Sequence, residues 1–288
     1  MEIDGKKIAS LLEKYLKKEV KKSRKKRKIK LSAILVGNSP DQLSYVKIKA
    51  KTAKKLGIIF ELTHLKSVPS FEKFMHLIKE KSQDPDINGI IIQQPLPAQL
   101  STASIYEYIP TVKEIEGHKN KSPFYPPLGL AVLTLLKSIY EKSKKADDLM
   151  VHLDKEKGYY KKLFRSKRVV LVGRGITGGQ PIGKTLTEAR INFININSQT
   201  SEPNTYYKEA DVIISAVGNK IITPDVLKPE VILINVGLRR ENGKLKGDYE
   251  EKEIRKIASF YSPTPGGVGP IDVLYLYKNL IEAAKLQK

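Results

Sequence analysis

The chain has 288 residues, 40% of them apolar, which is too much for one small core and suggests about two domains. No run of 18 or more apolar residues occurs, Met1–Gly5 lacks an apolar leader core, cysteine is absent, and His64, His76, His118 and His152 are scattered. These features argue against a membrane span, a secretion signal, disulfides or a structural metal, and for a cytoplasmic protein. The net charge of +21 is densest at Lys21–Lys28 but spread along the whole chain without a recognition motif, so a lysine-rich solvated surface is favoured over a nucleic-acid site.

Residues 4–22 carry Ile8, Leu11, Leu12, Tyr15 and Leu16 on one helical face. Leu31–Val36 reads as a buried strand stopped by Gly37-Asn38-Ser39-Pro40. A helix follows over 41–56, ended by Gly57, then a strand over Ile58–Leu62. Ser70 caps a helix to about Lys81, and Gly89–Gln93 is a third strand before Pro95-Leu96-Pro97. This β-α-β-α-β order predicts a parallel sheet with right-handed crossovers. Residues 137–167, rich in Lys, Asp and Tyr, read as a charged helical insert or linker.

A second α/β unit begins at Arg168–Val172. Gly173-Arg174-Gly175-Ile176-Thr177-Gly178 matches G-x-G-x-x-G between that strand and a helix over 178–189, with Gly179 following. In this setting glycines permit a tight turn and close approach of a pyrophosphate, which predicts a Rossmann-like domain. Ile191–Ile196, Asp211–Ala216 and Val231–Val236 are its further strands. Asn197 and Ser198 stand at the strand end where NAD-preferring sites usually carry an acid. With Arg174 in the turn, a 2′-phosphate and hence NADP is favoured.

Pro263-Thr264-Pro265-Gly266-Gly267-Val268-Gly269-Pro270 holds three prolines and three glycines in eight residues. It is a rigid, closely shaped loop that runs into a final helix, either a connecting turn or a place where backbone approaches a ligand. Tyr45 and Lys49, four apart, share a face of the helix after the first strand, and Gln93 ends the third strand at the same sheet edge. A lysine beside a neutral amide in a cleft can serve acid–base chemistry; the alternative is a solvated lysine like Lys47 and Lys51.

Together, Tyr45-x-x-x-Lys49, Gly89-Ile-Ile-Ile-Gln93-Gln-Pro-Leu-Pro97, Gly173-Arg174 with Gly179-x-Pro181, and Pro263–Pro270 resemble the methylenetetrahydrofolate dehydrogenase/methenyltetrahydrofolate cyclohydrolase family, in family order. The Gly247-Asp248 pair also fits. The resemblance implies a two-domain α/β enzyme with a cleft between a folate-binding domain (1–136, rejoined by 270–288) and an NADP-binding domain (168–269). Such an enzyme oxidises 5,10-methylenetetrahydrofolate with NADP+ and hydrolyses the product to 10-formyltetrahydrofolate. It implies that Lys49 is the cyclohydrolase lysine, that Tyr45 stacks on folate, that Gln93 tunes the lysine and that Glu116 holds the pterin. Pro265, Gly266 and Gly267 would border the ligands, and Gly173, Arg174, Gly175, Thr177, Gly178, Gly179, Asn197, Ser198 and Gly218 would line the cofactor. Polyglutamylated folates and a homodimer are the expected partners.

Several positions depart from the family pattern. Asp41-Gln42 replaces Ala-Ser, Gly175 replaces a serine, Asn197 a histidine and Asn235 an aspartate. Ile271 and Asp272 stand for Met and Thr or Ser, and the loop after Gly117 is shorter, with Tyr125-Pro126-Pro127 for Pro-Cys-Thr-Pro. Glu114-Ile115-Glu116-Gly117 replaces Asp-Val-Asp-Gly, and one added methylene moves a carboxylate by about 1 Å, which can cost ~100-fold in rate. A catalytically weakened folate- or nucleotide-binding paralogue and a basic nucleic-acid-binding protein are the alternative readings.

Overall fold

The computed structural model describes residues 1–24, 28–141 and 145–287. In chain order the elements are α1 (Gly5–Arg24), β1 (Lys30–Val36), α2 (Pro40–Leu56), β2 (Ile59–Leu65), α3 (Phe71–Gln83), β3 (Gly89–Ile92), α4 (Pro127–Tyr140), α5 (Ala146–Leu149), α6 (Leu153–Leu163), β4 (Val169–Val172) and α7 (Gly179–Glu188). They continue with β5 (Phe193–Ile196), α8 (Pro203–Glu209), β6 (Val212–Ser215), β7 (Ile232–Asn235), β8 (Arg239–Glu241), β9 (Lys244–Lys246), α9 (Glu251–Ile254), β10 (Phe260–Tyr261) and α10 (Gly269–Leu286). Two compact units result. The first comprises Glu13–Pro127 and Val273–Lys288, the second Met1–Leu12 and Leu128–Asp272.

The first unit is built on a parallel sheet of order β2-β1-β3. Central β1 is buried from Leu31 to Val36, as a strand covered on both faces must be. Local signals set the boundaries of α2. Pro40 opens it with its φ preset, and Gly57 closes it at φ 75°, donating its N–H to the carbonyls of Ala53 and Lys54. Ser70 caps α3 by accepting from the Lys73 N–H. Ile34, Phe74, Ile78, Ile90, Leu100 and Ile109 form part of one core cluster. Helix α10 packs close to β3: a Cβ on Gly89 would lie 2.6 Å from Leu280 Cδ1.

The second unit carries a five-stranded parallel sheet, β10-β7-β6-β4-β5. The chain leaves β4 for β5 on one side and returns to β6 on the other, so the sheet reverses direction of growth at β4. That switch point is where open α/β sheets bind ligands, and the glycine turn follows β4 directly. The unit boundaries differ from the expected break at 136/137. Segment 137–167 is not a detached insert or linker. Its described part buries Leu149, Met150, Val151, Leu153, Tyr160 and Phe164, and Lys137 pairs with Glu156 at 3.0 Å. Its polar composition hides this apolar stripe; Lys142–Lys144 lie outside the described residues. Of the basic cluster, Lys21, Lys22 and Lys28 are exposed, and Lys25–Arg27 lie outside the described residues. Among the described residues, no helix is long and apolar enough to cross a membrane.

Candidate active site

Lys49 sits past the middle of α2, but helical side chains lean toward the N-terminus, and the N-terminus of α2 lies at the C-terminal edge of the sheet. Its ammonium therefore reaches the end of β3 and donates to Gln93 Oε1 at 3.1 Å. Its own carbonyl accepts from the Tyr277 hydroxyl at 2.6 Å, which fastens α2 to α10. Tyr45, one turn earlier on the same helix face, is 42% exposed.

The segment after two 3-10 turns, Ala98–Leu100 and Ala103–Tyr108, joins this edge. Glu114 bridges Ile90 in parallel register, so Glu116 comes alongside the C-terminal end of β3. Glu116 Oε1 lies 3.8 Å from Lys49 Nζ and Oε2 lies 3.7 Å from His118 Nε2. Burial pushes the Glu116 carboxyl up, but Lys49 and then His118 outweigh it and hold it below the ordinary carboxylate range. Buried Glu114 wraps the turn by accepting the N–H groups of Glu116 and His118, both at 2.9 Å, and Lys119 at 3.3 Å. Burial outweighs these contacts and raises the Glu114 carboxyl. Gly117 has φ 75°, and a Cβ there would lie 2.8 Å from the Phe124 carbonyl, so the turn requires glycine. Asn279 of α10 closes the arrangement by donating to the carbonyls of Ile115 and Tyr125.

Sequence reasoning named Tyr45, Lys49, Gln93 and Glu116, and Lys49, Gln93 and Glu116 converge. It missed His118, whose ring stacks on Tyr106 with centroids 4.0 Å apart and planes 22° apart. It also missed Gln94, which donates to the Tyr106 hydroxyl at 2.9 Å. The departure at Gln42 has a local reason: this buried amide donates to the Pro95 carbonyl at 2.6 Å, tying the start of α2 to the loop after β3.

In the second unit the turn after β4 is glycine-dependent. Gly173 has φ 109°, and a Cβ there would lie 2.8 Å from the Ala216 carbonyl; a Cβ on Gly179 would lie 2.1 Å from the Gly173 carbonyl. Arg174, Gly175 and Thr177 are exposed on the turn, Gly178 half-buried, and nothing within 4 Å would oppose a Cβ on Gly175. Arg174 Nη2 donates to Gln199 Oε1 at 3.2 Å, which places the guanidinium at the end of β5 beside exposed Ser198. Asn197 shapes that end: its Oδ1 accepts the Gln199 N–H at 2.9 Å and its N–H donates to Thr200 Oγ1 at 3.0 Å.

Gly218, at φ 80°, belongs to a turn held by fully buried Asp248. Asp248 Oδ1 accepts the Gly218 N–H at 2.8 Å, and Oδ2 accepts the Val217 N–H at 3.0 Å and the Ser215 hydroxyl. Asn235 explains its own departure from aspartate. Its amide accepts the Asp248 N–H and donates to the Gly237 carbonyl at 2.7 Å and Thr264 Oγ1 at 2.8 Å, donations a carboxylate cannot make. Thr264 lies in the proline–glycine loop, where Thr264–Pro265 is cis and Gly266 has φ 117°. Pro265 is exposed, while Gly266 and Gly267 are buried; a Cβ on Gly5 would lie 2.2 Å from the Gly267 carbonyl. Among the described residues no group of His, Cys, Asp or Glu is arranged to hold a metal ion.

Two family models match the chain. Residues 3–116 match the tetrahydrofolate dehydrogenase/cyclohydrolase catalytic domain, and residues 153–288 the NAD(P)-binding domain of the same family. The bifunctional protein FolD of Staphylococcus carnosus is 34% identical, over 99% of this chain and 97% of its own. The crystal structure of the Campylobacter jejuni bifunctional FolD methylenetetrahydrofolate dehydrogenase/cyclohydrolase superposes with a TM-score of 0.87 at 28% identity, over 100% of this chain and 99% of that one. The Trypanosoma brucei methylenetetrahydrofolate dehydrogenase-cyclohydrolase, solved with NADP and an inhibitor, shares the fold with a TM-score of 0.84 at 24% identity, over 99% and 97% of the chains.

Proposed function

Because the chain belongs to the tetrahydrofolate dehydrogenase/cyclohydrolase family, we propose that its first unit holds folate against Lys49 and its second holds NADP+ at the Gly173–Gly179 turn. The activity is bifunctional: 5,10-methylenetetrahydrofolate is oxidised to the 5,10-methenyl form, which is hydrolysed to 10-formyltetrahydrofolate. The observation that carries the assignment of residues is the Lys49 ammonium held between Gln93 Oε1 at 3.1 Å and Glu116 Oε1 at 3.8 Å.

The cofactor fits the second unit. Gly173 and Gly179 leave no room for a Cβ against the Ala216 and Gly173 carbonyls, so the turn is tight enough to bring its backbone close to a pyrophosphate at the start of α7. When bound, NADP+ accepts the hydride, which the substrate nitrogen lone pair helps to expel. Arg174 meets the 2′-phosphate, assisted by the Ser198 hydroxyl, while Asn197 fixes the turn that presents them. Asp248 holds Gly218 in place, and the loop of Pro265, Gly266 and Gly267 borders the bound ligands.

Hydride transfer asks for alignment, and the exposed Tyr45 ring offers the stacking surface. Hydrolysis asks for a proton to move, which Lys49 does while Gln93 and Glu116 hold its ammonium and Glu116 also binds the pterin. Neither a paralogue without turnover nor a nucleic-acid-binding protein gains support, because the lysine, its amide and its carboxylate are assembled within one unit. The net charge of +21 suits capture of polyglutamylated folate. Family membership supports a cytoplasmic homodimer serving one-carbon and purine metabolism; sedimentation distinguishes dimer from monomer. The decisive experiment is Lys49→Ala with both activities measured. Cyclohydrolase activity disappears and hydride transfer falls much less; retained hydrolysis removes Lys49 from the mechanism.

A further inference from the structure

Hydrolysis of the methenyl cation releases one proton per turnover. The water oxygen bonds to the methenyl carbon and one water proton leaves. The bond from that carbon to N5 then breaks, its electron pair goes to N5 with the remaining hydroxyl proton, and a formyl group stays on N10. An ammonium has no lone pair, so Lys49 must pass one proton outward to become the amine that takes the departing proton, once in every cycle. Its ammonium is shut in: the side chain is 13% exposed, against 20% for Glu116 and 23% for His118.

A chain of groups leads away from it. Lys49 Nζ lies 3.8 Å from Glu116 Oε1, and the other oxygen of the same carboxylate lies 3.7 Å from His118 Nε2. Catalytic contacts of this length in the unliganded state commonly shorten in the complex. The imidazole is held face to face on Tyr106, and Gln94 fixes the Tyr106 hydroxyl. We propose that His118 relays the proton from the Lys49–Glu116 pair to solvent, a positioning residue that acts through Glu116 and does not touch the substrate. Histidine suits this step because it takes and releases a proton near neutral pH.

The charged and titratable groups around the ring fit the role. Lys49 faces it from α2 through Glu116. Tyr106 stacks on it from the 3-10 turn, where burial, then Glu116, raises the phenol and keeps it neutral. From its own loop Glu114 binds the His118 N–H, and the Lys119 ammonium points away, to the Ile109 carbonyl at 2.9 Å and Glu107 at 3.4 Å.

This relay rests on the assignment of Lys49, and the experiment separates the two. Cyclohydrolase kcat and KM are measured against pH in dilute buffer for the full-length wild type, Lys49→Ala, His118→Gln and His118→Phe; the phenyl ring preserves the stack on Tyr106. Both His118 variants should lose roughly 10- to 100-fold in cyclohydrolase kcat, at the lower end of general acid–base effects, with a smaller change in KM and in hydride transfer. The pH profile should lose one limb, and added imidazole should restore part of the rate. A His118→Phe enzyme with wild-type hydrolysis, an unchanged pH profile, or a loss that imidazole does not relieve and that falls equally on both activities overturns the relay. Retained hydrolysis in Lys49→Ala overturns the assignment beneath it.

Discussion

Replacing Asp248 by asparagine changes almost nothing in volume and tests what the buried carboxylate does. Its two oxygens accept three donors: the Gly218 N–H at 2.8 Å, the Val217 N–H at 3.0 Å and the Ser215 hydroxyl. An amide presents one oxygen and one NH2. Whichever way it turns, a backbone N–H faces another donor. A hydrogen bond to a charged group contributes about 1.5–3 kcal/mol, and an unsatisfied buried donor costs about 1–3 kcal/mol. With the remaining bonds retained, the expected loss is about 3 kcal/mol. In a unit of roughly 150 residues, each kcal/mol moves Tm by about 2–4 °C, so Asp248→Asn should lower Tm by about 10 °C. Because the released turn carries Gly218, NADP+ affinity should also fall, by about 10-fold for each ~1.4 kcal/mol of lost contact. Thermal unfolding with and without NADP+, together with a calorimetric titration, reads both quantities. A Tm shift under about 2 °C with unchanged affinity would refute the view that this carboxylate holds the turn.

Three further outcomes are expected. Wild type prefers NADP+ over NAD+, and Arg174→Ala narrows the gap by about 10- to 150-fold, the value of a charge-assisted contact of ~1.5–3 kcal/mol; faster turnover with NAD+ at equal low concentration removes the assignment. Glu61, hydrogen-bonded to Lys30 and then Lys81, is held below 4.5, so its contribution is present at neutral pH and lost as pH falls below that value through the folded pKa. Glu61→Gln should therefore cost about 1 kcal/mol at neutral pH, a partly exposed pair's share, and nothing in strong acid, as melting curves across pH will show. Gly89→Ala drives a Cβ to 2.6 Å from Leu280 Cδ1 and should destabilise by about 1–3 kcal/mol, read as a lower denaturant midpoint at unchanged slope.

What the sequence made legible was local. Pro40 and Gly57 bracket α2, Ser70 starts α3, and the apolar runs of β1, β3, β4, β6 and β7 are buried strands because parallel strands are covered on both faces. Helix α4 was not read, since it is apolar all round and shows no helical stripe. The β8–β9 hairpin was missed although Asn242-Gly243, at φ 50° and 72°, is the strongest short signal for such a turn. The spacing of Tyr45, Lys49 and Gln93 announced one edge of the site. His118 did not announce itself, because its partner Tyr106 is twelve residues away and only the Gly117 turn brings its ring to Glu116. Asn235 and Gln42 read as departures from a pattern; each is a hydrogen-bonding choice whose reason lies far along the chain, in the Thr264 hydroxyl and the Asp248 N–H for Asn235 and in the Pro95 carbonyl for Gln42.

The Asp248–Asn235–Thr264 chain has an implication for how the enzyme can change. One amide ties the turn bearing Gly218 to the loop bearing Pro265, through 2.8 Å bonds on either side. Each segment also has its own tie, Thr264 N–H to Glu251 Oε1 at 2.8 Å and Gly218 N–H to Asp248 Oδ1 at 2.8 Å, but through the shared amide a shift that retunes one is transmitted to the other. Inheritance should therefore treat Asn235, Asp248 and Thr264 as a single character. An aspartate at 235 would need a compensating donor elsewhere in the trio before it could be tolerated, and cofactor preference should evolve at the rim, through Arg174 and Ser198, while this knot stays tied.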